Sequence, residues 1–160
     1  MEYLLPTAAR ELLTPLRGRR LVRVRRVVHD PEAEATTRRD PADGPIELAL
    51  DDGAVLHAIA EPGKSSVVLC AGELPPSAGP AVDVSRNDFW RWRLRREITG
   101  VVVWKSLDVD ARASELEFGL ELELRFTPSA VLEYVVDQGV ESLIATDGKS
   151  GERCRHLRLV

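Results

Sequence analysis

Two cysteines, three histidines, one methionine and only three lysines occur among the 160 residues, and each shortage closes off a class of function. Cys70 and Cys154 form no CxxC, so neither a disulfide framework nor a thiolate zinc motif is in view, and two reduced, partly buried thiols in a cytoplasmic protein are expected. His29, His57 and His156 lie far apart. Cys154-x-His156 is the one close pair of soft ligands and lacks a third or fourth partner, while Asp108-x-Asp110 and Glu115-x-Glu117 lack the Gly and terminal Glu of a calcium loop. No metal and no cofactor are expected. No apolar run approaches the roughly 20 residues of a membrane span, and MEYLLPTAARELL, with an acid at position 2 and Pro6, reads as neither signal nor span. No GxSxG elbow is present and no catalytic set stands together, so the chain reads as a non-enzyme.

Charge of one sign is also missing. The formal net charge is −4, from 26 acidic and 22 basic residues, which is no footprint of a nucleic-acid binder. Nineteen of the 22 basic residues are Arg, a composition we read as the mark of a high-GC bacterial genome rather than of phosphate binding.

What is present is a repeat. Gly44 to Gly72 aligns without a gap on Leu120 to Gly148, position n on n + 76, with 8 identities in 29 positions, among them Glu47/Glu123, Leu56/Leu132 and Ser66/Ser142. Average residue usage gives roughly 2. Upstream, Leu21 and Val24 match Ile98 and Val101 at an offset of 77, so one residue is lost before the gapless block.

The elements read accordingly. PTAARELL opens a short helix that Thr14 and Pro15 end. Val22 and Val24 alternate with Arg23 and Arg25, and Ile46, Leu48 and Leu50 with Glu47, Ala49 and Asp51, the period of two of half-buried strands. Asp52-Gly53 predicts a type I′ hairpin; Pro128-Ser129 in the second copy requires a turn of different type or length. The repeat favours a strand over a helix for 129–136. For 86–96, RNDFWRWRLRR, the alternation of Trp90, Trp92 and Leu94 with Arg91, Arg93 and Arg95 favours a strand over a capped helix. The tail from Cys154 adds a last edge strand. The expected fold is all-β, mainly antiparallel, with a short N-terminal helix: two meander halves of about four strands, about 16–73 and 93–149, joined by a linker near 74–86 into one barrel-like or sandwich-like domain spanning 1–160.

AIAEPGKS (58–65) matches a phosphate-binding loop except for Ala58 in place of the first Gly. A strand follows it instead of a helix, and its sister segment has no Lys, so it reads as a Gly turn.

Three functions of different class remain. The leading one is a non-enzymatic binding protein in which the seam between the halves or an Arg-rich face, with Arg23, Arg25, Arg91, Arg93 and Arg95 as its residues, meets another macromolecule, an acidic protein partner. The cross-strand argument pairs outward Arg23 and Arg25 with Glu47 and Asp51 instead, and puts Trp90 and Trp92 in the core. The second is a small-ligand or enzyme site at the seam between the halves, built on His57, Glu133 and Tyr134. The third, nucleic-acid binding through the Arg/Trp stretch, is the least favoured.

Overall fold

The computed structural model describes residues 7–29, 36–61, 66–106, 119–137, 140–148 and 154–160. Its elements in chain order are α1 (Thr7–Leu13), β1 (Leu21–Val27), β2 (Ile46–Leu50), β3 (Val55–Glu61), β4 (Ser66–Ala71), β5 (Ala81–Asp83), α2 (Asp88–Arg91), β6 (Ile98–Ser106), β7 (Gly119–Leu124), β8 (Thr127–Asp137), β9 (Val140–Thr146) and β10 (Cys154–Arg158). Short 3-10 turns occupy Thr14–Leu16 and Pro76–Ala78. No helix of the described residues is long and apolar enough to cross a membrane.

The strands form two antiparallel five-stranded sheets, ordered β4-β3-β2-β1-β5 and β10-β6-β7-β8-β9. Barrel closure is not found among the described residues. The period of two gives each sheet one apolar face, and the two faces meet in a single core: Ile46, Leu48 and Leu50 of β2, and Leu120, Leu122 and Leu124 of β7, belong to the same cluster. Leu13 and Leu16, Phe89 and Trp90 complete it from α1, its following turn and α2. Thr14 Oγ1 donates to the Arg10 carbonyl at 2.8 Å where Pro15 halts the helix.

Two sequence expectations change here. The stretch read as a linker, 74–86, carries a fifth strand: β5 pairs with β1 as β10 pairs with β6. Residues 86–96, read as a strand, contain α2 and a following turn instead. Helical spacing puts Phe89, Trp90 and Arg93 on the buried side, and that inward Arg disguises the period. The expected strand over 129–136 lies within β8.

The register explains why the 76-residue offset is persuasive and where it fails. Both first strands carry a bulge, between Leu21 and Arg23 in β1 and between Ile98 and Gly100 in β6. Leu21 pairs with Leu50 and Ile98 with Leu124, which sets β2 on β7 at an offset of 74. Ile46 pairs with Ala58 and Leu120 with Leu132, so β3 and β8 share that offset. Only β4 and β9 stand at 76, since Ala58 pairs with Leu69 and Leu132 with Ala145. A slip of two residues keeps every side chain on its own face, so the apolar pattern agrees in either alignment.

The hairpins absorb the difference. Asp51, Asp52 and Gly53 form a three-residue loop in which only Gly53 has positive φ (86°), in place of the predicted type I′ turn. The second hairpin turns at Arg125 and Phe126, ahead of the predicted Pro128-Ser129, with Phe126 at φ 64°.

Candidate functional site

The two halves meet where β1 and β6 begin. Arg20 and Glu97 bridge antiparallel, the Gly18 amide donates to the Ile98 carbonyl at 2.8 Å, and the Ile98 amide donates to the Arg19 carbonyl at 2.8 Å. Each hairpin tip closes on its own half: the Asp51 amide donates to Arg20 O (2.9 Å) and the Arg125 amide to Glu97 O (3.0 Å). The charges at these two corners are inverted. In the first, Arg19 Nε lies 3.4 Å from Asp52 of the loop; in the second, Glu97 lies 3.0 Å from Arg125 Nε of the loop.

The α2 turn lies on the same end, since the Arg95 amide donates to Leu21 O at 2.7 Å. Arg91 and Arg95 are exposed, as the sequence reading required. Arg91 pairs with Asp88 at 3.1 Å and lies 4.8 Å over the Trp92 ring, which is 55% exposed rather than in the core. Arg93 is placed differently from the expectation. It is buried, its guanidinium 3.8 Å over the Phe89 ring, donating to the carbonyls of Phe89 (2.8 Å), Ser129 (3.3 Å) and Thr37 (3.4 Å). Burial pulls its pKa below the ordinary arginine value.

This end carries the two exposed aromatic side chains among the described residues, Trp92 and Phe126. Arg17, Arg95 and Arg96 are exposed and pair with no carboxylate among the described residues. Phe126 is 86% exposed, with Arg125 5.9 Å over its ring. Both non-glycine residues with positive φ among the described residues, Arg95 and Phe126, are here, and such outliers cluster at functional sites.

The other sequence-named residues do not join them. Arg23 and Arg25 flank Glu47 at 3.5 and 3.4 Å on the outer face of the first sheet. Glu47, expected to pair with these arginines on the outward face, does so but is buried, and it also accepts from the Leu74 amide at 2.9 Å. His57 stands beside Glu47 and Cys70, and its Nδ1 lies 2.9 Å from Gly72 O. By register His57 corresponds to Val131, and Glu133 to Ile59, so the proposed symmetric pairing of His57 with Glu133 does not arise. Tyr134 packs in the shared core. Instead, the seam holds a hollow of about 180 Å³ lined by His29, Asp43, Pro45, Ala60, Glu141 and Leu143 among others, with His29 Nδ1 3.6 Å from Asp43. No group of three or more His, Cys, Asp and Glu among the described residues is arranged to hold a metal. Of the phosphate-loop look-alike, Pro62 to Ser65 lie outside the described residues, and strands β3 and β4 flank them. Asp108, Asp110, Glu115 and Glu117 also lie outside, as do the side chains of Cys154 and His156.

The sequence reading missed one buried network. Arg26, two residues beyond core Val24 on β1, is fully buried and donates to Asp40 (3.3 Å), Gly44 O (2.7 Å) and Leu143 O. Asp40, also fully buried, accepts from the Trp90 indole, and its amide donates to Ala145 O at 3.0 Å. The signal was available in the inward phase of Arg26. Phe126 and Arg125 had no such signal, because the turn was expected three residues later, at Pro128-Ser129. No protein-family model, no curated protein and no solved structure matches the chain.

Proposed function

We propose that the protein is a non-enzymatic, cytoplasmic binding protein that docks an acidic segment of a partner protein on the end bearing Trp92, Phe126 and the free arginines. Phe126 carries the reading. A left-handed backbone costs a residue with a side chain about 1–2 kcal/mol, and here that conformation holds out a ring 86% exposed, whose apolar area only a partner would cover. Aromatic and arginine side chains together are the usual energetic anchors of protein interfaces. Arg19, Arg91 and Arg125 already have acidic neighbours, so the positive charge stands in discrete spots at Arg17, Arg20, Arg95 and Arg96. Discrete spots on a chain of net charge −4 fit a short acidic peptide better than a continuous phosphate backbone.

Selection from a displayed library of short acidic peptides tests the proposal. Enriched peptides are expected to weaken about tenfold or more, roughly 1.4 kcal/mol, on Phe126→Ser, Trp92→Ala or the double change Arg95→Glu with Arg96→Glu. Absence of enrichment over a neutral library would overturn it. So would tighter, steeply salt-dependent binding of a single-stranded DNA oligonucleotide, which would assign the end to nucleic acid.

A further inference from the structure

We propose that Arg93 and Asp40 are positioning residues for this docking end, holding α2 so that Trp92 and Arg91 stand outward in one arrangement. The inference rests on the docking reading above. A helix of four residues has no stability of its own, so something else must fix it. Two interior side chains do. The Trp90 indole donates to Asp40, which Arg26 binds from β1 and which lies on the crossover segment between β1 and β2. Three residues on, the Arg93 guanidinium gathers carbonyls from α2 (Phe89), the crossover (Thr37) and β8 (Ser129), and stacks on Phe89. Trp90 and Arg93 are thus pinned inward on either side of residues 91 and 92, and the two side chains between them must project. The crossover is itself tied to the second sheet, with the Asp40 amide on Ala145 O at 3.0 Å and the Leu143 amide on Asp43 O at 2.8 Å. The docking side chains therefore share one rigid frame with both sheets, which lowers the ordering cost of binding.

Arg93→Met and Asp40→Asn test this, read by affinity for an acidic peptide selected as above and by acrylamide quenching of tryptophan fluorescence. Wild-type protein is expected to show one accessible tryptophan, Trp92, since Trp90 and Trp104 are buried. Arg93→Met is expected to keep its circular dichroism while opening Trp90 to quencher and losing at least about tenfold in peptide affinity. Arg93→Lys, which cannot reach three carbonyls at once, is expected to fall between the two. A folded Arg93→Met or Asp40→Asn protein with wild-type quenching and affinity would overturn the inference. Hydrogen exchange on the unaltered protein decides the case if the variants unfold: protected amides at Arg91 and Leu94, which donate to Asn87 O and Trp90 O at 2.9 Å each, are expected, and unprotected ones would overturn it. If wild-type protein binds no acidic peptide, the docking reading fails, while the quenching and exchange results still decide whether α2 is held.

Discussion

Burial treats the arginines of this chain in two ways. Arg26 and Arg93 are both pulled below the ordinary arginine value by desolvation; Asp40, hydrogen-bonded to Arg26, pushes it back up, whereas Arg93 binds carbonyls and a ring and is raised by Asp147 through charge alone. Removing one member of a buried pair leaves an uncompensated charge, so Asp40 matters more to the fold than any surface carboxylate. Surface carboxylates matter to the pH response. The Glu123 carboxyl is held below the usual range by the hydrogen bond from Arg158, and Asp83 by those from the Ser85 hydroxyl and amide. A folded pKa below the unfolded one adds stability that is present above the unfolded value and lost as pH falls through the folded value. Urea midpoints are thus expected to decline as pH drops below about 4.5, and less steeply in Glu123→Gln. An equal decline in the variant would remove Glu123 from the account.

The elements were legible wherever apolar and polar residues alternate with period two. The strands around Ile46–Leu50 and Gly119–Leu124 announce themselves, as does the helix before Thr14. Legibility ended where a charged residue takes an inward position. Trp92 against Arg93 was assigned the wrong way round, because a pattern read by polarity alone sends every arginine outward. Arg91 and Arg95 are exposed on and beside α2, whereas the place of Arg125 and Phe126 in the hairpin is not legible, since a two-residue slip leaves the apolar pattern unchanged. The turn they make has a measurable cost. Phe126→Gly is expected to raise stability by up to about 1 kcal/mol, the left-handed penalty less the entropy of a glycine, while weakening peptide capture about tenfold or more. Urea denaturation checks the first half, and a variant no more stable than wild type would show that the turn is unstrained.

At the scale of the molecule, two sheets of the same strand order share one core, an arrangement prone to a particular folding error: the first strand of one half docking on the hairpin of the other. The inverted corners bear on that error. Docked wrongly, Arg19 and Arg20 would approach Arg125, and Glu97 would approach Asp51 and Asp52, like against like at both places. Docked correctly, each strand meets its opposite. Exchanging the second pair, Glu97→Arg with Arg125→Asp, would make both corners alike and is expected to leave the urea midpoint nearly unchanged while slowing refolding and adding a misassembled fraction, read by stopped-flow fluorescence and size-exclusion chromatography. Refolding at the wild-type rate and yield would remove any such role. On that expectation, a charge reversal worth little to the finished structure would tell each hairpin which strand is its own while the chain is still folding.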